Sequence, residues 1–255
     1  MRQCTKEWIQ TLADLGASAG VRHVDLLFDQ VGADVSILPA LRVIHPRLEW
    51  FSLFSGTPEE SLLTHAPILM RLHLDEWRHK AWLEEMLEHF HAQPRLMLLL
   101  SPMPFPALAK ALQALSQLEW GGLTGILRFH DPRLLPELLA RVLDEPQRQR
   151  FLQTALYWSW RNLDQQLAWQ PGTYLTGQPE DENPTALVFT DEQYDRLGNV
   201  SAAHRLLDIP KSNFPDWPNE QCFALCYEWV MDAGRDNYFG DLRAYALKQL
   251  ALMDT

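Results

Sequence analysis

Residues 127–135, Leu-Arg-Phe-His-Asp-Pro-Arg-Leu-Leu, combine the end of a strand, a charged turn and the start of a helix. The apolar run 126–129 is typical of a short buried strand. Asp131 can cap a helix by accepting backbone N–H bonds, and Pro132 suits the first helical position, where its missing N–H costs nothing. The segment therefore predicts a strand-to-helix joint.

Two arginines, Arg128 and Arg133, flank the Asp131 carboxylate in this joint. We predict that Arg128 and Asp131 organise the turn. At least one of the two arginines is expected to pair with a carboxylate.

Outward from this joint, strand-like and helix-like segments alternate along the first two thirds of the chain. Thr57, Pro58 and Glu60 have the order of a capped helix start. The alternation predicts an α+β or α/β fold, in which an N-terminal lobe (1–170) has a mainly parallel or mixed sheet flanked by helices. Strands are expected at 21–28, 50–54, 68–72, 96–100 and 126–129, and helices at 5–15, 75–91 and 107–118.

After residue 170 the sequence becomes polar and rich in proline and glycine before helical spacing returns. Helices are expected at about 191–207, 219–232 and 238–253. We therefore predict a smaller, all-helical C-terminal lobe over residues 171–255.

The formal charge of −11 is unevenly distributed along the sequence. Residues 171–255 carry 6 Lys+Arg against 14 Asp+Glu. An acidic surface repels phosphate backbones, which argues against nucleic-acid binding and would favour a basic protein partner. The same acidity also serves solubility alone, and composition leaves both interpretations open.

Three further sequence features indicate the cellular compartment of the protein and whether it enters a membrane. The longest purely aliphatic run, 96–100, is far shorter than the roughly 20 residues of a bilayer span, so no membrane insertion is expected. The first residues lack the apolar core of a secretory signal. The odd number of cysteines, Cys4, Cys222 and Cys226, fits a reducing compartment. We expect a cytoplasmic protein.

Two stretches and their order resemble the adaptor and chaperone family of type VI secretion. One is 53–60, Leu-Phe-Ser-Gly-Thr-Pro-Glu-Glu, followed by Ala-Pro-Ile-Leu at 66–69, and the other is 127–135. Three positions depart from the family pattern: 24–30 is a degenerate first motif, Ala66 stands where Gly is usual, and His130 stands where Tyr is usual. The residues that match the motifs, with structural roles expected, are Phe54, Gly56, Thr57, Pro58, Pro67, Arg128, Asp131, Pro132 and Arg133.

The resemblance implies a non-enzymatic protein that holds a toxic effector and helps load it onto the valine-glycine repeat spike protein. The partners implied are the cognate effector and the spike protein. It implies no cofactor, no metal and no catalytic residue.

An enzymatic alternative rests on residues 16–20, Gly-Ala-Ser-Ala-Gly, which match the G-x-S-x-G pattern of serine hydrolases. A nucleophile elbow needs a strand before the serine and a helix after it. Here a helix precedes Ser18 and a strand follows, so we interpret the segment as a helix-to-strand connection. A protein-binding module unrelated to secretion is a further alternative.

Metal binding is suggested by the spacing of Glu76 with His79 and of Glu88 with His91. Both pairs are expected on one helix, about 120° apart in azimuth, so they cannot share a metal ion. A solvated face rich in Glu and His is the preferred interpretation. The cysteines at 222 and 226 lack a second ligand pair, and are interpreted as buried apolar residues.

Aromatic residues concentrate around the expected junction of the two lobes. Tryptophan and tyrosine anchor interfaces because they bury a large area at low entropic cost, although they also fill cores. We predict that the effector binds at this junction, through Trp158, Trp160, Trp169, Tyr174, Phe214 and Trp217.

Overall fold

The computed structural model describes residues 2–34, 36–175, 177 and 183–253. Its helices are α1 Arg2–Ala19, α2 Leu38–Val43, α3 Trp77–His89, α4 Phe105–Ser116, α5 Leu135–Glu137, α6 Glu145–Leu152, α7 Asp191–Arg205, α8 Asp208–Asn213, α9 Asn219–Arg235 and α10 Leu242–Met253. A 3₁₀ helix spans Glu60–His65, and a π-helical turn, Leu138–Val142, continues α5. The strands are β1 His23–Phe28, β2 Glu49–Ser52, β3 Ile68–His73, β4 Leu96–Leu100, β5 Gln117–Trp120, β6 Leu123–Ile126, β7 Tyr157–Arg161, β8 Leu167–Pro171 and β9 Leu187–Val188.

Six strands form the main sheet in the order β2-β3-β1-β4-β7-β8. Every pairing in it is antiparallel. The fold is therefore α+β, and the prediction of a mainly parallel or mixed main sheet was wrong.

The interleaving of strands explains this error. β3 and β4 both run antiparallel to β1 and are joined through α3, so they are parallel to each other. However, β1 lies between them, and β3 lies between β1 and β2 in the same way. The alternation of strand and helix therefore predicts the direction of the linked strands, but it cannot identify the strand inserted between them.

A second sheet has three strands in the order β6-β5-β9. β5 and β6 form an antiparallel hairpin, whereas β9 runs parallel to β5. Gly121 and Gly122 connect the hairpin with φ of 55° and 77°. A two-residue turn of type I′ requires positive φ at both central positions, which only glycine adopts at no steric cost.

Two expectations about this region need correction. The strand expected at 126–129 ends at Ile126. Residues 127–129 form a loop in which Leu127 and Phe129 are buried, and the Leu127 N–H donates to the Ser116 carbonyl at 2.8 Å. The C-terminal part is also not all-helical, because β9 lies within it.

Each face of the main sheet covers an apolar core. Leu26 and Leu98 point toward α1 and α3 on one face. Leu27 and Leu99 point toward α4 and the C-terminal helices on the other face. These C-terminal helices share one continuous apolar cluster with the sheet, and the proposed boundary near residue 170 stays a prediction.

A buried ion pair crosses the centre of the main sheet. Asp25 on β1 and Arg71 on β3 stand opposite each other, and the Arg71 Nε and Nη2 atoms donate to the two Asp25 oxygens at 2.7 and 2.9 Å. Arg71 Nη2 also donates to the Met103 carbonyl at 2.9 Å. Charge-assisted bidentate geometry offsets part of the loss of water around both groups. Burial still raises the pKa of Asp25 to about 6, because it outweighs the stabilisation by Arg71.

Candidate functional site

The 127–135 turn is organised by two ion pairs. Arg128 Nη2 donates to Asp29 Oδ2 at 2.6 Å, which ties the turn to the end of β1. The Arg133 Nε and Nη2 atoms donate to the two Asp131 oxygens at 3.0 and 2.7 Å. The expected pairing of these arginines with carboxylates is therefore confirmed.

Asp131 was expected to cap the helix after Pro132, but in the structure it caps the turn itself. Its Oδ1 accepts the Arg133 backbone N–H at 2.9 Å, within the turn itself. α5 begins only at Leu135, after Leu134, and has no side-chain cap. Burial opposes ionisation of Asp131, but its hydrogen bonds with Arg133 hold the pKa of the carboxyl below its ordinary value.

His130 is the buried centre of this turn. Burial lowers its pKa to about 4, so the imidazole is neutral at pH 7. Its Nε2 lies 4.0 Å from Asp29 Oδ2, and its Nδ1 has no hydrogen-bond partner in the described part of the chain. The Arg128 ion pair joins the turn to the end of β1, and the neutral His130 ring is buried beside it.

The 53–60 segment forms a loop beyond the end of β2. Gly56 has a φ of 72°, and the Thr57 hydroxyl donates to the Phe54 carbonyl at 2.9 Å. The helix start expected at Thr57 was wrong, because a 3₁₀ helix begins at Glu60 without a side-chain cap. An open groove of about 470 Å³ lies beside this loop, lined by Gly56, Thr57, Pro58 and residues of α4 and β5.

Phe54 and Pro67 are buried and anchor the loop. The Leu53 N–H donates to the Pro67 carbonyl at 3.0 Å, which continues the pairing of β2 and β3 by one residue. Gln113 on α4 donates to the Leu53 and Ser55 carbonyls at 3.1 and 2.6 Å, so this end of the sheet edge is covered.

The prediction that Trp158 and Trp160 contact an effector needs correction. Both lie on β7 and are only 1% and 4% exposed, packed in the core that includes the C-terminal helices. Alternation along the strand places their side chains on the face opposite to Ser159. They therefore contribute to the core.

The other predicted aromatic residues do not form one surface. Trp169 packs on the α1 and α3 side of the sheet, whereas Tyr174 packs on the opposite side. Phe214 and Trp217 stack on each other with ring centroids 4.3 Å apart, and both are half-buried. An effector contact through these four residues stays a prediction.

An exposed apolar surface occurs instead on the β5–β6 hairpin. This hairpin surface consists of Trp120, Leu123 and Tyr194, and Leu123 is 66% exposed. Val188, 62% exposed, stands opposite Glu119 and therefore lies on the other face of the small sheet. The Trp120 and Tyr194 rings stack in parallel at 3.8 Å, and Trp120 Nε1 donates to Asp191 Oδ1 at 2.9 Å. The aromatic pair is therefore held rigidly beside Leu123.

The helix that supplies Tyr194 begins next to the small sheet. The Thr190 side chain accepts the Gln193 N–H, and the Gln193 side chain accepts the Thr190 N–H, which together form a capping box at the start of α7. This cap fixes the first turn of α7, and with it the positions of Asp191 and Tyr194.

Sequence reasoning missed the hairpin surface. The paired glycines at 121 and 122 indicated a turn, and aromatic and apolar residues on either side of them are the signal of a hairpin. The exposure of Leu123 had no sequence signal, because an apolar residue beside a turn is usually buried.

The serine-hydrolase motif has the context of a helix end. Ser18 lies in the last turn of α1 and its Oγ donates to the Leu15 carbonyl at 2.7 Å. Gly20 follows with a φ of 72°, and the Val21 N–H donates to the Gly16 carbonyl at 2.8 Å. The predicted helix-to-strand connection is confirmed, and Gly20 supplies its left-handed turn.

The Glu and His pairs lie on or beside α3, as expected, but the solvated-face interpretation fails for His79. This ring is buried, accepts the His73 N–H at 3.2 Å and contacts the Pro46 carbonyl through Nε2 at 2.9 Å.

Cys222 and Cys226 are buried and unpaired, as predicted. Within the described ranges, no group of three or more His, Cys, Asp or Glu side chains is arranged to hold a metal ion.

Comparison with known proteins gives one match. The family described as a domain of unknown function (DUF4123) matches residues 26–150, from β1 into α6. No curated protein and no solved structure matches the chain. Among the residues that the structure describes, no helix has the length and apolar character needed to cross a bilayer.

Proposed function

From the DUF4123 match over residues 26–150, we propose that the protein is a non-enzymatic adaptor that binds a type VI secretion effector. The observation that carries this proposal is that the match contains both segments on which the family resemblance rests, 53–60 and 127–135. The adaptor acts in the cytoplasm and delivers its effector to the valine-glycine repeat spike protein.

The hairpin surface suits such an adaptor as a docking site. Exposed apolar patches on a folded protein often mark sites of interaction with other proteins. Leu123 and the Trp120–Tyr194 pair supply apolar area, and stacking has already fixed the two rings. Little side-chain entropy is therefore lost when a partner docks.

Adaptor function also requires release. The hairpin surface is small, so its contacts provide limited energy. The entropy lost on association is subtracted from this energy, and the affinity for an effector is therefore finite. An effector held through such a patch can be transferred to the spike.

Co-purification tests the proposal. The protein is co-expressed with the products of the genes adjacent to its own, and recovery of a bound toxin among them is measured for wild type and for Leu123→Lys. We expect wild type to retain the toxin and the variant to lose most of it.

Val43→Lys is the matched control, because Val43 is 80% exposed and lies on α2, outside the hairpin surface. It should behave as wild type. If the wild-type protein does not retain the toxin at all, the adaptor function is wrong.

A further inference from the structure

The outer edge of β6 is open. In the described part of the chain, β6 pairs only with β5, and no other group bonds to the backbone of residues 123–126. Leu123, Thr124 and Gly125 are all exposed, and a Cβ added at Gly125 would have no neighbour within 4 Å. A row of main-chain donors and acceptors is therefore accessible from the side.

Two of the other strand edges, those of β9 and β8, are partly protected. On the far side of the same small sheet, Gln147 of α6 donates to the Val188 carbonyl at 2.8 Å, and Arg150 donates to the Thr185 carbonyl. In the main sheet, edge strand β8 ends in Pro171, which cannot donate a hydrogen bond. Proteins usually protect edge strands with proline, charge or a covering element, and β6 has none of these.

The hairpin is also preorganised to receive a strand. Leu118, opposite Gly125, is buried in the core and holds β5 in place. The Leu127 N–H anchors the end of β6 to the Ser116 carbonyl at 2.8 Å. Binding at such an edge loses little conformational entropy on the side of this protein.

The charge beside the edge defines the chemistry of the partner. Glu119 stands directly opposite Thr124, and its exposed carboxylate has no ion pair in the described ranges. One face of the hairpin is thus apolar, and the other face carries the Glu119 carboxylate.

We propose that β6 binds an extended segment of a partner protein as an added strand, and that this segment alternates apolar with basic residues. Alternate residues of an added strand point to opposite faces of the sheet. An apolar residue contacts Leu123 on one face. A neighbouring Lys or Arg reaches over the small Thr124 side chain to Glu119, across about 10 Å, or two strand spacings.

Under the adaptor function, on which this inference rests, the segment belongs to the effector. Main-chain hydrogen bonds would supply affinity, and the alternating side chains would supply selectivity. An effector with an unfolded basic segment is captured through its backbone before it joins the spike.

Peptide binding tests the edge directly. Fluorescence anisotropy is measured with a short labelled peptide of alternating valine and lysine, with its glutamate counterpart, and with a version N-methylated at alternate residues. We expect only the first to bind, with affinity that weakens as salt screens the charges. Glu119→Lys should reduce binding about tenfold or more, because it places a like charge opposite the peptide lysines. Leu123→Lys should reduce it by a similar factor, because it replaces the apolar contact with a charge that must lose water. Val43→Lys should leave binding unchanged, and thermal denaturation verifies that all three variants fold. Equal binding of the N-methylated or glutamate peptide would overturn the inference.

Amide hydrogen exchange in the complex with the neighbouring toxin separates this inference from the adaptor function. Protection of the amides of residues 123–126 on toxin binding is expected. A toxin that binds without protecting them, and that still binds Glu119→Lys at wild-type strength, overturns strand addition while the adaptor function stands. A wild-type protein that binds the lysine peptide but no toxin overturns the adaptor function and leaves the edge site intact.

Discussion

The two sheets of this protein differ in how much of each strand is covered. In the six-stranded sheet both faces pack against helices, and strands such as β4 are buried along their whole length. In the three-stranded sheet, β6 is exposed over most of its length. The six-stranded sheet is therefore a scaffold in which the residues have packing neighbours. The three-stranded sheet instead presents an edge strand whose backbone groups are free to form hydrogen bonds.

The turn at 127–135 connects these two regions. It leaves the open sheet at Ile126 and reaches the covered sheet through the Arg128–Asp29 ion pair. Changes in the main sheet, in the turn and in the hairpin should therefore have decreasing effects on stability, while effects on partner binding should be largest at the hairpin.

The largest effect is expected from the buried ion pair of the main sheet. Arg71→Ala leaves the Asp25 carboxylate buried and without its bidentate partner. The free energy of unfolding should fall by about 3–5 kcal/mol. Urea denaturation measures this change. The double variant Asp25→Leu, Arg71→Met serves as control and should recover most of the loss, because two apolar side chains leave no uncompensated charge. A loss below about 1 kcal/mol in the single variant contradicts the pairing.

Acid should weaken the turn through His130. Its pKa in the folded protein is about 4, below the ordinary value of 6.5, because burial disfavours the charged ring. The unfolded chain therefore takes up this proton first, so the stability from the neutral ring is complete above pH 6.5 and is lost as pH falls toward 4. Between pH 6.5 and 5 the loss is about 2 kcal/mol.

His130→Gln isolates this contribution, because it removes one titrating group and leaves the others in both proteins. Urea denaturation at a series of pH values should give a shallower decline for the variant over this window. Parallel profiles would mean that His130 titrates normally.

A smaller effect is expected within the turn at Asp131. Asp131→Ala removes the acceptor for the Arg133 N–H and its guanidinium, and should cost about 1 kcal/mol, as loss of a local cap does. Asp131→Asn retains an acceptor and should cost less. The midpoint of thermal unfolding measures both. Unchanged stability together with lost toxin binding would assign Asp131 to the interface rather than to the scaffold.

The smallest effect on stability is expected at the hairpin. Leu123→Lys alters an exposed side chain and should change the free energy of unfolding by no more than about 0.5 kcal/mol. Toxin recovery should nevertheless fall sharply. A large loss of stability would show that Leu123 supports the fold, and the contrast between the two sheets would then be weaker than the exposure of β6 indicates.

Several features of secondary structure that depend on neighbouring residues were predicted correctly from the sequence. The apolar run 96–100 is β4 with the predicted bounds, and the spacing within 75–91 predicted α3 to within two residues. The small residues at 16–20 predicted the helix-to-strand connection after α1. Each of these features depends on neighbours in the chain, whose preferences are encoded within a few residues.

The pairing of strands and side chains that are far apart in the chain was not predicted from the sequence. β1 was predicted as a strand, but neither its position between β3 and β4 nor the contact of Asp25 with Arg71 has a local signal. Trp158 and Trp160 were assigned to an interface for the same reason, since a tryptophan in a core and one at an interface look alike in sequence.

The sequence alone thus determined the segments with strong local patterns, such as β4 and α3, and the resemblance carried by 53–60 and 127–135. It did not predict β7 or β8. Tertiary structure decided which strands are neighbours, which aromatic residues are buried and which strand edge stays open. The physical reason is that backbone preferences act over a few residues, whereas burial and edge exposure depend on segments far apart in the chain. Leu98 and Leu123 illustrate this: both are leucines in strands, and only the packing of the other elements buries the first and exposes the second.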